Sequence, residues 1–103
     1  MSATAGEKRR KFDRFPFRED VLIDGLLCSI MDISEGGLYL SSIQTLKEGS
    51  VIEMTIPFKE TSITVSARVC YSQSGIGMGI MFVDLSEKQR EMIKDLVDSI
   101  ASR

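Results

Sequence analysis

The sequence predicts a mainly β protein: a six-stranded antiparallel β-barrel followed by one C-terminal helix. Short apolar runs separated by turn residues extend over residues 16–83, and this pattern is typical of antiparallel barrels and sandwiches. At Ser86 the spacing of apolar residues changes from two to about 3.6, the helical period. The length of 103 residues suits one compact domain with a single core.

The first two strands are predicted to form a hairpin. Residues 17–23 and 26–33 are apolar-rich runs separated by Asp24 and Gly25. Asp-Gly between such runs is a strong hairpin signal because both turn residues adopt positive φ. Residues 34–37 (SEGG) form the next turn, and residues 38–40 (LYL) begin the third strand.

Alternation of apolar and polar residues predicts the fourth and fifth strands over residues 51–58 and 63–71. Pro57 places the end of the fourth strand at an edge or a bulge. The sixth strand, residues 78–83, follows a turn-rich segment. The residues of the fifth strand predicted to face inward are Ile63, Val65, Ala67, Val69 and Tyr71.

The chain is predicted to end in an amphipathic helix. Residues 86–89 (SEKQ) form a capping box. An apolar stripe follows, and we expect it to cover one end of the barrel rather than to bind a partner. The residues of this stripe are Met92, Ile93, Leu96, Val97 and Ile100.

Charge divides the chain into a basic N-terminal arm and a mildly acidic body. Residues 8–18 hold six basic residues against one acidic residue, although the net charge is -2. We expect residues 1–14 to be a flexible basic arm and residues 15–103 to be the barrel with its helix. This distribution suits a small anion better than DNA or RNA. On charge alone, a solvated tail without a ligand is the simpler interpretation.

Composition argues against an enzyme and against a metal site. The chain has no histidine, so the usual Ser-His and Cys-His nucleophile pairs are impossible. Cys28 and Cys70 fit no metal-binding spacing, and as free thiols in apolar runs they are expected to be small buried hydrophobes. No metal and no cofactor are therefore expected. The first residues lack a secretory pattern and no apolar run is long enough to cross a bilayer, so we expect a cytoplasmic location without membrane insertion.

Two short segments contain side chains that are chemically suited to contact a guanine nucleotide. Arg10 and Arg14 lie in RKFDR, residues 10–14, and an arginine fork pairs with phosphate or with the O6 and N7 atoms of guanine. In DISEGG, residues 32–37, Asp32 can accept hydrogen bonds from the base-pairing edge of guanine, and Ser34 adds a hydroxyl. Gly37 allows positive φ or close approach of a ligand. The second segment is also compatible with an ordinary strand-turn-strand.

Together the two segments resemble the RxxxR and [D/N]xSxxG signatures of the PilZ family, whose members typically bind the bacterial second messenger cyclic di-GMP. The resemblance extends over the basic arm, the barrel, residues 75–82 (GIGMGIMF) and the terminal helix. It implies guanine and phosphate contacts from the arginines, base or ribose-phosphate hydrogen bonds from Asp32 and Ser34, and backbone clearance at Gly37. An arginine at position 9 resembles the family members that hold two stacked ligands. The implied ligand-binding residues are Arg9, Arg10, Arg14, Asp32, Ser34 and Gly37.

The resemblance therefore implies a cytoplasmic bacterial receptor for cyclic di-GMP. Such a receptor would change the conformation of its arm on binding and signal to a protein partner in motility, biofilm or secretion control. The alternative is a PilZ-like adaptor that binds proteins without a ligand. An RNA-binding barrel would need aromatic residues on a basic face, whereas the two tyrosines and five phenylalanines are mostly predicted to point inward.

Overall fold

The computed structural model describes residues 13–102, and they form six strands and one helix. Twelve residues of the predicted arm, 1–12, lie outside the described part of the chain. The elements are β1 (Phe15–Ile23), β2 (Leu26–Ile33), β3 (Gly37–Ser41), β4 (Val51–Phe58), β5 (Thr61–Gln73), β6 (Gly77–Val83) and α1 (Glu87–Ala101).

The six strands form one sheet in the order β1-β2-β3-β6-β5-β4. Every hydrogen-bonded strand pair in it is antiparallel. The two edge strands, β1 and β4, also contact each other, so the sheet curls into a nearly closed barrel. The predicted fold, a six-stranded antiparallel barrel with a C-terminal helix, is confirmed.

The β1–β2 hairpin has the predicted turn. Asp24 and Gly25 have φ values of 50° and 81°, as a type I′ turn requires at both central positions. The turn sets the register in which Ile23 pairs with Leu26 and Val21 with Cys28. The register shifts by one residue between Glu19 and Pro16, and beyond this shift the start of β1 lies beside the end of β2, where the candidate site lies.

Burial in β5 follows the predicted alternation as far as Val69 and then departs from it. The side chains of Ile63, Val65, Ala67 and Val69 are at most 1% exposed. The predicted inward orientation of Tyr71 is wrong, because the pairing of β5 with β6 shifts register between Val69 and Tyr71 and Tyr71 is 49% exposed. Such a bulge adds one residue to a strand and turns the next side chain to the other face.

The two cysteines lie in different environments. Cys28 is buried in the core, as expected, whereas Cys70 is exposed. Cys70 lies in the register shift of β5, between the buried Val69 and the exposed Tyr71. The expectation that both thiols are buried is therefore wrong for Cys70.

Helix α1 begins at the predicted capping box. The Ser86 side chain accepts a hydrogen bond from the backbone N–H of Gln89, and the Gln89 side chain accepts one from the backbone N–H of Ser86. Gln89 Nε2 also donates to the carbonyl oxygen of Thr64 at 2.8 Å, which fixes the start of the helix on β5. The apolar stripe is buried in the barrel core, with Met92 packed against it, so the helix covers the core as predicted.

Candidate ligand-binding site

An ion pair joins the two predicted signatures. Pro16 of β1 is the cross-strand partner of Asp32 near the end of β2, so the residue that precedes β1, Arg14, lies beside Asp32. Arg14 Nε donates to Asp32 Oδ1 at 2.8 Å, and Arg14 Nη2 lies 2.7 Å from the same oxygen. The side chains are 30% and 34% exposed, so about a third of each remains accessible to a ligand.

The Arg14–Asp32 pair presents both signs of charge at one place. Both short contacts end on Oδ1, and within residues 13–102 the second carboxylate oxygen, Oδ2, accepts no hydrogen bond from a side chain. Charge-assisted hydrogen bonds of this kind are about twice as strong as neutral ones. The pair therefore orients an arginine fork beside a carboxylate oxygen that accepts from no side chain in the described part of the chain.

The turn after Asp32 is held by Ser34. Its backbone N–H donates to the carbonyl oxygen of Gly37 at 2.8 Å. Its hydroxyl donates to the same carbonyl oxygen at 3.3 Å and accepts from the N–H of Gly36 at 3.2 Å. Ser34 is only 4% exposed, so its hydroxyl serves the turn in this structure. The ligand contact implied for Ser34 stays a prediction.

Gly37 is required by close packing of two strands. It is not among the glycines with positive φ, which within residues 13–102 are at positions 25, 49 and 75. A Cβ at Gly37 would instead overlap the carbonyl oxygen of Ile80 in β6. The close approach made possible by this glycine is thus to the neighbouring strand. Its contribution to the site is to let β3 and β6 meet directly behind the turn.

Helix α1 lies beside the same turn. Lys94 Nζ donates to Asp98 Oδ2 at 3.0 Å. This hydrogen bond is the main cause that raises the pKa of Lys94, followed by the charges of Asp98 and of Glu35 in the turn. Lys94 therefore carries its positive charge at neutral pH close enough to Glu35 to interact with it.

Two tyrosines that the sequence analysis did not select lie in line with Asp32 across the sheet. Tyr39 of β3 is the cross-strand partner of Asp32. Its ring centroid is 6.4 Å from that of Tyr71, with the ring planes inclined by 32°. The alternating glycines of β6, Gly77 and Gly79, lie under these rings. Alternating glycines in a strand often mark close approach of another group, and this signal could have identified the tyrosines.

Arg9 and Arg10 lie outside the described residues, so their predicted contacts stay predictions. Within residues 13–102, no group of three or more His, Cys, Asp or Glu side chains is placed to hold a metal ion. No helix in this part of the chain is long and apolar enough to cross a membrane.

The fold and the Arg14–Asp32 pair define a class: a small barrel with an ion pair at the corner formed by its first two strands. The family model for the PilZ domain matches residues 8–99, which include both signatures, the whole barrel and most of α1. The chain therefore belongs to the PilZ family. This is in general a family of cyclic di-GMP receptors, and its domains bind ligands rather than catalyse reactions. A search of curated proteins finds no match to the chain.

Proposed function

We propose that this protein is a receptor for cyclic di-GMP. The observation that carries the proposal is the Arg14–Asp32 ion pair, because it joins one residue from each of the two family signatures at one corner of the barrel. Residues from two separate segments that meet with charge-assisted hydrogen bonds form a preorganised polar site. A ligand that binds there finds its main contacts already oriented.

The chemistry of the pair suits a guanine nucleotide. The base-pairing edge of guanine carries N–H donors, and Asp32 Oδ2 is an available acceptor within the described residues. The guanidinium of Arg14 can contact a phosphate or the O6 and N7 acceptors of guanine. In this proposal Arg9 and Arg10 supply further positive charge to the phosphates, and the turn held by Ser34 keeps Asp32 in position.

The alternative is an adaptor on the same fold that binds proteins without a ligand. Such an adaptor needs neither an arginine fork nor a carboxylate at this corner. The partly exposed pair therefore favours the receptor. The receptor proposal includes a protein partner that responds to the arm when the ligand is bound.

Binding of cyclic di-GMP is expected to raise the melting temperature of the protein. A ligand that binds only the folded state stabilises it by about 2.7 kcal/mol at a hundredfold excess over Kd. Calorimetric titration with cyclic di-GMP, and with GTP and cyclic di-AMP as controls, measures the affinity directly. Asp32→Ala should abolish both the heat of binding and the increase in melting temperature.

Asp20→Ala is the matched control for this test. Asp20 is an exposed carboxylate on the same hairpin and accepts a hydrogen bond from the Ser29 hydroxyl at 2.8 Å, but it lies away from Arg14. This variant should bind cyclic di-GMP like the wild type. Equal stabilisation by GTP would identify a general phosphate site, and absence of heat with cyclic di-GMP would favour the ligand-independent adaptor.

Limited proteolysis tests the proposed participation of the arm. If Arg9 and Arg10 contact the ligand, saturating cyclic di-GMP should slow tryptic cleavage after both residues. Cleavage after Lys47, an exposed residue in the loop between β3 and β4, is the internal control and should keep its rate. Equal cleavage of the arm with and without ligand, at full calorimetric occupancy, would show that binding does not involve these arginines.

A further inference from the structure

The outer face of the sheet carries an aromatic surface beside Asp32. Tyr39 and Tyr71 are both cross-strand partners of Gly79, one from β3 and the other from β5. Directly opposed residues in a sheet place their side chains on the same face. Asp32, Tyr39 and Tyr71 therefore form one row across β2, β3, β6 and β5, with the backbone of Gly79 between those of the two tyrosines. We name Tyr39 and Tyr71 the tyrosine floor.

Tyr71 presents one ring face to the protein and the other to solvent. A Cβ at Gly79 would overlap the ring of Tyr71, with Cζ only 2.6 Å away, so the ring lies directly on the glycine backbone. Gly79 is buried under it, whereas Tyr71 itself remains 49% exposed. An aromatic ring backed by glycine and open on its other face is the kind of surface on which nucleic-acid bases stack.

Tyr39 fills the space between Tyr71 and the charged pair. Its ring tip lies over Gly77, where a Cβ would come within 2.8 Å of Tyr39 Cζ. It is only half-buried, and Asp32 is its direct neighbour in β2. The row from Asp32 to Tyr71 spans three strand spacings, which is about 14 Å between the backbones of β2 and β5. The Arg14–Asp32 pair thus lies at one end of an aromatic surface whose two rings are inclined by 32°.

We infer that the tyrosine floor stacks on the purine bases of the ligand whose polar edge is held at Asp32. The inference rests on the proposed function and adds two binding residues to it. Asp32 and Arg14 supply hydrogen bonds and charge, and the tyrosines supply a surface that accepts a planar base. The row also explains Gly79, since a side chain there would displace the ring of Tyr71, whereas a side chain at Gly77 would meet both Tyr39 and the carbonyl oxygen of Leu40.

Two substitutions at Tyr71 distinguish two possible functions of its side chain: stacking on a base of the ligand, and shielding Gly79 from solvent. Tyr71→Phe keeps the ring and should bind cyclic di-GMP within about twofold of the wild type. Tyr71→Leu keeps an apolar cover over Gly79 but removes the ring, and it should weaken binding by roughly 5- to 150-fold, the range for loss of one stacked base. Leu27→Ala, at an exposed apolar residue of the β1–β2 hairpin, is the control and should bind normally.

Intrinsic fluorescence gives a second readout. The chain has no tryptophan and only two tyrosines, so its tyrosine emission comes entirely from the floor. Cyclic di-GMP should quench this emission along the calorimetric binding curve, after correction for ligand absorbance with N-acetyltyrosinamide at the same ligand concentrations. Asp32→Ala should lose the quenching together with the binding.

The outcomes separate this inference from the proposed function. Tight calorimetric binding by both the wild type and Tyr71→Leu would overturn the tyrosine floor and leave the receptor intact, as would binding without any change in tyrosine emission. Absence of binding by the wild type would overturn both. Tighter binding of a guanine-rich single-stranded RNA than of cyclic di-GMP would reassign the surface to RNA and so contradict the inference.

Discussion

Arg14→Ala is expected to weaken binding of cyclic di-GMP by about 10- to 150-fold, which corresponds to the loss of one charge-assisted hydrogen-bonded contact of roughly 1.5–3 kcal/mol. Folding should remain cooperative, because Arg14 lies before β1 and is not part of the buried core. An ion pair exposed to this degree contributes only about 0–1 kcal/mol to stability. Calorimetric titration and thermal unfolding measure the two effects separately.

The large effect has two physical sources. The substitution removes the guanidinium that contacts the ligand, and it also removes the two short contacts that orient Asp32. Arg14→Lys is expected to restore little of the affinity, since an ammonium group lacks the planar fork that makes two parallel hydrogen bonds. The lysine variant therefore distinguishes a requirement for fork geometry from a requirement for positive charge.

Arg18→Ala is the matched control, because it removes the same charge only four residues further along the chain. Arg18 is exposed on β1 and makes no ion pair with an acidic residue in the described part of the chain. Its charge acts on the ligand only through long-range electrostatic attraction, which salt screens. The loss of this charge should therefore change Kd by no more than about threefold. Equal losses from Arg14→Ala and Arg18→Ala would contradict a specific site and indicate general electrostatic attraction.

The fold could be predicted from the sequence because most of its elements obey local rules. The hairpin turn at Asp24 and Gly25, the alternation as far as Val69 and the capping box at Ser86 each depend on a few neighbouring residues. The exception is Tyr71. Its orientation is decided by a register shift against β6, and pairing with a distant strand leaves no signal in the period-two pattern itself.

For the candidate site, the structure bears only on where the predicted residues lie, and their contacts with a ligand stay predictions. The two signatures indicated Arg14 and Asp32, and the β1–β2 pairing explains why they meet. The structural functions of Ser34 and Gly37 could not be predicted from the sequence. They depend on which backbone groups lie across the turn from Ser34 and on which atoms of β6 lie against Gly37. The expectation that the aromatic residues mostly point inward is wrong for both tyrosines, because they lie on the outer face of the sheet, where they can contact a base.

Gly37→Ala is expected to destabilise the protein by about 3 kcal/mol, at the upper end of the usual range for overpacking. The added Cβ would overlap the carbonyl oxygen of Ile80. That atom belongs to the backbone of β6 and cannot move away by a change of rotamer, so β3 and β6 must separate. Urea unfolding followed by circular dichroism gives the change in the free energy of unfolding from the midpoint and slope.

Gly75→Ala separates this steric effect from the general cost of replacing a glycine. Gly75 has a φ of 81°, and nothing lies within 4 Å of a Cβ built there, so its substitution should cost only the strain of a left-handed residue, about 1 kcal/mol. Separation of β3 from β6 also disturbs the turn in which Ser34 bonds to Gly37. We therefore expect Gly37→Ala to lose cyclic di-GMP affinity even at temperatures where it remains folded, whereas Gly75→Ala should retain it. Equal destabilisation by the two variants would show that Gly37 is not held by contact with β6, and normal binding by folded Gly37→Ala would show that the site tolerates movement of this turn.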